Sequence, residues 1–231
     1  MYGFHGRLLH VDLSRGSSTW LDLEESRLRA FLGGIGLGTS LLYDFAPPGV
    51  EPFAPENPLI FTSAPLVGTG LTTTAKFAVV TKSPLTGFIA DSLSSSFFAL
   101  ELKRTGLDAI VITGQAAVPV YILLSNEKVE IREGKQLWGK SATETETLIR
   151  SELKDPAVRV AAIGLGGEKR VRFATISNEG RHAGRGGVGA VMGSKNLKAI
   201  ALRGHAGVEV ADRNGVEAIA EYMTKRSLGT V

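Results

Sequence analysis

The chain has 231 residues, 43% of them hydrophobic, enough apolar matter for one large domain or two small ones. Its net charge is only +3 and its basic residues are scattered, which sets nucleic acid aside as a partner. It holds no cysteine; disulfides, thiolate zinc sites, a cysteine nucleophile and cysteine-held iron–sulfur clusters are therefore excluded within this stretch.

The opening residues, from Met1 to Gly16, lack a basic start followed by a long apolar run, so they do not read as a signal peptide. No run of 18 apolar residues occurs, and no membrane span is expected. The expectation is a cytoplasmic protein. Glycine occurs 28 times, which implies many tight turns or close backbone approaches.

In chain order, Leu8 to Leu13 and Ser18 to Leu23 read as strands around the turn Ser14 to Ser17. Glu24 to Phe31 reads as a helix, followed by the glycine cluster Gly33, Gly34, Gly36 and Gly38, and a short helix from Thr39 to Asp44 before Pro47-Pro48. Leu59 to Ala64 and Ala75 to Thr81 are apolar, β-branched runs that read as strands. Ser94 to Ser96 can cap a helix over Phe97 to Arg104, with Gly106 ending it. Asp108 to Thr113 is a buried strand, and Val120 to Ser125 with Lys128 to Glu133 is a hairpin. Ser141 and Glu144 form a capping box that opens a helix to about Glu152. Val158 to Ile163, Val171 to Ile176 and Leu197 to Leu202 read as strands, and Asp212 to Arg226 as a last helix.

The two halves resemble each other. Gly106 to Gly114 parallels Asn196 to Gly204, and the run from Phe77 to Thr81 parallels that from Phe173 to Ser177. The predicted fold class is α+β: a duplicated two-repeat domain with two packed mixed or antiparallel sheets and flanking helices. Each half places a small-residue segment before its last helix and strand, Ser92 to Ser96 in one and Gly180 to Gly189 in the other. Pseudo-symmetric packing brings these two segments together, and a ligand with two similar halves would suit the junction.

The run from Arg181 to Lys195 carries five glycines and the cations Arg181, Arg185 and Lys195. Glycines let a backbone approach a ligand, and arginines offer forked donors to phosphate. Gly184, Gly186 and Gly189 match a dinucleotide fingerprint in form, but no apolar strand leads into them. A tightly packed helix with surface arginines is the competing reading. Gly164 to Gly167 reads as a structural turn. His5, His10, His182 and His205 lack metal-ligand spacing, and no Gly-x-Ser-x-Gly elbow occurs. Glu101 and Asp108 read as partners of helix ends or salt bridges.

Several motifs together resemble one family. They are Tyr2-Gly3, Gly6 to Ser14, Thr81 to Gly87, Glu101 to Lys103, Asp108 to Val111 and Gly184 to Ile200. The chain is similar over Met1 to about Gly204 to the amino-terminal domain of the aldehyde ferredoxin oxidoreductases. That resemblance implies a two-repeat base holding a tungsten (or molybdenum) bis-pterin with magnesium, in an enzyme that oxidises aldehydes to carboxylic acids. It places the 4Fe–4S cluster in later helical domains, or in a separate cluster-bearing subunit, and implies ferredoxin as electron acceptor; alone, the domain is expected to expose an apolar face and self-associate as a homo-oligomer. The implied division is 1–207 for the pterin-cradling domain and 208–231 for a helix that starts a further one.

Carried over by position, the implied cofactor-binding residues are Lys76, Leu93, Ser95, Arg181, His182, Gly184 and Arg185. The main-chain carbonyls of Leu93 and His182 are implied magnesium ligands. Where the family usually reads Ser-Gly-Gly, this chain has Ser94-Ser95-Ser96, which adds Cβ atoms and disfavours positive φ. No catalytic residue is implied within this stretch. The alternative is a stand-alone binding or scaffold protein of the same fold that has lost the pterin and binds no cofactor.

Overall fold

The computed structural model describes residues 1–228. Among the described residues twelve strands form two six-stranded mixed sheets. The first repeat contributes β1 (Arg7–Asp12), β2 (Ser17–Asp22), β3 (Leu59–Thr62), β4 (Lys76–Lys82), β5 (Ile89–Ser95) and β6 (Ala109–Thr113). The second contributes β7 (Val120–Ser125), β8 (Lys128–Glu133), β9 (Arg159–Ala162), β10 (Ile176–Asn178), β11 (Arg181–Ala183) and β12 (Leu197–Arg203). The first sheet runs β2-β1-β6-β3-β4-β5, and the second, read from its far edge, runs β8-β7-β12-β9-β10-β11.

Adding six to each strand number of the first sheet gives the second. The pairings agree too: β1 with β6 and β7 with β12 are the parallel ones, whereas β6–β3 and β12–β9 are antiparallel. The predicted duplication is present as topology.

Helices occupy matching places. α1 (Glu25–Phe31) and α2 (Gly34–Phe45) precede β3, and α4 (Ala142–Leu153) precedes β9. α3 (Phe97–Arg104) precedes β6, and α6 (Val188–Ser194) precedes β12. α5 (Leu165–Glu168) and α7 (Arg213–Leu228) complete the set. α3 and α6 lie in the central layer, where Phe98, Leu102, Val191 and Met192 join Phe61, Phe77, Ile122 and Ile200 from the two sheets. α2 covers the outer face of the first sheet through Leu37 and Leu41, and α4 covers the second through Ile149.

The capping box at α4 forms as read: Glu144 N donates to Ser141 Oγ at 3.2 Å, and Ser141 N donates to Glu144 Oε2 at 2.8 Å. Ser141→Ala is expected to cost about 1 kcal/mol, measurable as a small fall in the denaturant midpoint with no change in slope.

Four elements differ from expectation. α2 starts five residues early, and its glycines are helical. A Cβ on Gly38 would stand 2.5 Å from Val80 Cγ2, so glycine there lets the helix lie close on the sheet. β5 was not read as a strand. Its pattern is small residues inward (Ala90, Ser92, Ser94) and exposed residues outward (Ile89, Asp91, Leu93). The expected strand over Val171 to Ile176 is mostly a turn, with Ala174 N donating to Val171 O at 2.8 Å, and β10 begins only at Ile176. Gly164 to Gly167, read as a turn, runs into the short α5. The likeness of Phe77 to Phe173 therefore fails: Phe77 is buried and Phe173 is 68% exposed.

The expected last helix is present, and residues 229–231 of the expected 208–231 piece lie outside the described residues. Among the described residues no helix is long and apolar enough to cross a membrane.

Candidate functional site

β5 and β11 are the edge strands that correspond in the two repeats, and they lie against each other. The small inward residues of β5 make the seam. Arg185 N donates to Ser92 Oγ at 2.9 Å, and Asn178 Nδ2 donates to Ser94 Oγ at 3.0 Å. Ser83 Oγ donates to Gly186 O at 2.8 Å. The segments 92–96 and 180–189 thus meet, as the pseudo-symmetry requires.

At one end of this seam is a cleft of about 560 Å³. Lys76, Ser95 and Arg181 line it together with Ser96, Phe97, Arg159 and Glu179. Three of the seven sequence-derived positions therefore share one cleft. Leu93, His182, Gly184 and Arg185 do not line it; they lie on the adjoining seam of β5 and β11, with Leu93 half-exposed and the other three exposed. Leu93 lies between Ser92 and Ser94, which bond Arg185 and Asn178, so its side chain points to the opposite, outward face of β5 and only its main chain runs along the seam. The His182 ring is held by Ser177 Oγ, 2.9 Å from Nδ1. Around Gly184 there is room: a Cβ would find nothing nearer than Thr175 Cγ2 at 3.7 Å.

Sequence reading missed the network beneath the cleft. Arg159 Nη1 donates to Glu179 Oε1 at 2.8 Å, and Phe98 N donates to Glu179 Oε2 at 3.3 Å. Glu179 N in turn donates to Glu146 Oε1 at 3.0 Å, and Arg150 stands 3.6 Å from Glu146 and 3.8 Å from Glu179. Burial raises the Glu146 carboxyl above its ordinary value, against the lowering effect of the Glu179 N–H. Glu179 therefore ties α3 of the first repeat to β9 and α4 of the second. It adopts φ +49, uncommon for a residue with a Cβ. The Glu179-Gly180 pair between two short strands was the available signal.

Charge in the cleft is unevenly spent. Glu179 neutralises Arg159. Lys76, Arg181 and Arg185 take part in no salt bridge among the described residues, and all three side chains are exposed. An anionic ligand at this seam would meet unpaired cations without first breaking an internal pair.

The serines do not strain the backbone. Ser95 ends β5 and Ser96 has φ −174, an extended geometry open to any residue. Ser96 Oγ caps α3 by accepting from Phe98 N at 3.0 Å. The residues present fit a phosphate-bearing group. A metal-bearing group would need its own ligands or main-chain oxygens, because no cluster of three or more His, Cys, Asp or Glu gathers among the described residues.

The glycine-rich run divides in two. Gly189 and Gly193 face protein, not ligand: a Cβ on either would overlap the carbonyl of Thr175 or of Gly167. Every residue of α6 is buried, which is the packed-helix reading. Lys195 also lies away from the cleft, fully buried, with Nζ donating to Pro55 O at 2.9 Å and Gly114 O at 3.3 Å. Burial pushes its amine down to about 7, against the pull of Glu56 and Asp12.

A larger depression, about 830 Å³, lies between the end of α2 and the start of β5. Its lysine, Lys82, is committed to Val50 O at 2.6 Å, and its walls include the exposed Tyr43, Phe88 and Ile89. It lacks the convergent polar groups of the seam.

Comparison with known proteins gives the family of the chain. The family model described as the aldehyde ferredoxin oxidoreductase N-terminal domain matches residues 8–204. The tungsten-containing aldehyde ferredoxin oxidoreductase of Pyrococcus horikoshii is 48% identical over 97% of this chain, and that of Pyrococcus furiosus is 49% identical over 92%. The WOR-like subunit of an aliphatic sulfonate oxidoreductase from Pyrococcus furiosus is 39% identical over 97% of the chain. Among solved structures, the active site complex BamBC of benzoyl coenzyme A reductase with 1,5-dienoyl-CoA superposes with a TM-score of 0.94. It is 41% identical, and the match covers 98% of this chain and 35% of that one. The chain spans 35 to 38% of the length of these sequence relatives. Two repeats meeting at a cationic seam, with a family match over most of the chain, show that it belongs to the aldehyde ferredoxin oxidoreductase N-terminal domain family.

Proposed function

We propose that the seam between β5 and β11 holds the phosphates of a tungsten bis-pterin cofactor, in an enzyme that oxidises aldehydes to carboxylic acids. The observation that carries the reading is the trio of unpaired cations, Lys76, Arg181 and Arg185, set along one junction of two repeats. When bound, the pterin dithiolenes would ligate the metal and supply the redox chemistry.

The chain's own part is to bind and orient. Arg181 and Arg185 donate to phosphate oxygens, and Lys76 adds a point charge on the same side. The main-chain carbonyls of Leu93 and His182 would hold a magnesium ion, which would offset phosphate charge. Ser95 contributes backbone contact, and Gly184 leaves space for the ligand. Glu179 keeps the two repeats in register beneath it. The division at 207/208, the cluster-bearing helical domains or subunit, ferredoxin as acceptor, a homo-oligomer and a cytoplasmic setting belong to the same proposal. The exposed apolar wall of Tyr43, Phe88 and Ile89 supports further contacts of this kind, since contiguous apolar surface marks interaction sites.

The test is tungsten and pterin analysis of the protein isolated from its native host with whatever chains accompany it. Both are expected to copurify with it. Lys76→Ala combined with Arg181→Ala should cut retained pterin by roughly tenfold or more, the equivalent of about 1.4 kcal/mol, while leaving thermal unfolding almost unchanged. Folded protein carrying neither tungsten nor pterin would overturn the reading in favour of a scaffold that has lost the cofactor.

A further inference from the structure

The loop from Leu66 to Ala75, between β3 and β4, separates the cofactor cleft from a second cavity. Thr73 and Ala75 line both. The second cavity, about 560 Å³, is closed on its other sides by the end of α3, the segment 205–208 and the start of α7. Among the described residues its lining includes Arg104, His205 and Arg213, and no acidic residue.

The two arginines are lightly engaged. Arg213 donates to Val208 O at 3.4 Å. Arg104 reaches Glu101 Oε2 at 3.4 Å, and the other oxygen of that carboxylate is taken by Arg203 at 3.1 Å and Gly204 N at 2.8 Å. Most donors of each guanidinium therefore remain unspent. The remaining cation, Lys103, is paired with Asp108 and buried, so it lends the cavity only its stem.

The backbone adds a second sign. Thr73 has φ +63, and a β-branched residue in the left-handed region is an outlier that persists where the surroundings hold it, often at ligand clamps. Leu71, Leu100 and Val208 supply an apolar part of the lining. A bare phosphate would fill little of this volume.

We infer that this cavity is a second anion site, which takes a small phosphate monoester with an apolar tail. Arg104 and Arg213 hold the phosphate, and Leu71, Leu100 and Val208 receive the tail. The inference does not depend on the pterin reading, because none of these groups lines the cofactor cleft.

The experiment is calorimetric titration of the protein with inorganic phosphate and with phenyl phosphate. Both should bind saturably, and phenyl phosphate should bind more tightly. Lys76→Gln with Arg181→Gln removes phosphate binding at the cofactor cleft and should leave saturable binding at the second cavity; in that background Arg104→Gln with Arg213→Gln should weaken the remaining binding roughly tenfold or more. Arg213→Glu as the one further change in that background, at the exposed start of α7, should abolish the remaining binding and provides the check if the Arg104 and Arg213 variant folds poorly. No saturable heat with either probe would overturn the inference. So would equal affinity for the two probes, or binding lost only in the Lys76 and Arg181 variant.

Discussion

Gly193→Ala is expected to remove the native fold as the dominant species, a loss above about 4 kcal/mol against a total of about 5–15 kcal/mol. The added methyl would overlap the Gly167 carbonyl, standing 2.6 Å from its carbon and 3.3 Å from Glu168 N. Those atoms are backbone, so no side chain can swing away. α6 cannot retreat either. All seven of its residues are buried, and it is held in the central layer, where Val188, Val191 and Met192 pack among residues of both sheets. Ordinary overpacking costs about 1–3 kcal/mol because side chains and backbone yield a little; here both partners are main chain in regular contact. Gly207→Ala is the control, since a Cβ there meets nothing within 4 Å. Denaturant unfolding of the two variants decides the matter. A Gly193→Ala protein as stable as its parent would mean that the glycines of this run are not kept for packing, and the ligand-cradle reading would regain the whole stretch.

That case shows what the sequence could and could not convey. The capping box of Ser141 and Glu144 and the hairpin of Val120 to Glu133 were legible because their determinants lie within a few residues of each other. β5 was not, because Ile-Ala-Asp-Ser-Leu-Ser-Ser has little intrinsic preference for a strand. It extends because β4 pairs with it on one side and β11 lies on the other. α2 was shortened for a related reason: glycines discourage helices, and only the close approach of Gly38 to Val80 explains their presence in one. The expected strand at Val171 was lost because α6 presses on Arg172 and Thr175 through Gly187 and Gly189, a contact with no local signature.

The candidate site divides along the same line. Repeat logic predicted that two segments meet, and they do. Which cations would stay unpaired could not be read, because that depends on Glu179 reaching Arg159 across twenty residues. Lys195 was grouped with Arg181 and Arg185 by adjacency alone, although it points into the protein and bonds Pro55 and Gly114.

Asp108→Ala is expected to cost about 3–5 kcal/mol, the range for stripping one partner from a buried pair. Asp108 Oδ1 accepts from Lys103 Nζ, and both side chains are at most 1% exposed. Oδ2 accepts from His5 N at 2.9 Å and Gly6 N at 2.7 Å. The substitution therefore strands a buried ammonium and two amide donors, and loosens the entry into β1.

The pH dependence identifies the cause. Burial already lowers the Lys103 amine below its ordinary value, with Asp108 opposing the shift; without Asp108 the lowering deepens. A lysine with a depressed folded pKa binds fewer protons folded than unfolded in the interval between the two values, so stability rises with pH across it. The parent already has such a slope from Lys195, lowered to about 7, and from Lys198, lowered by burial. Those contributions are common to both proteins and cancel in the difference. Relative to the parent, the variant should recover stability as pH rises from its own, more depressed Lys103 value to the parent's, an interval lying wholly below the ordinary lysine value of about 10.4. A deficit constant with pH would place the cost in the stranded amides of His5 and Gly6 instead of in the buried charge.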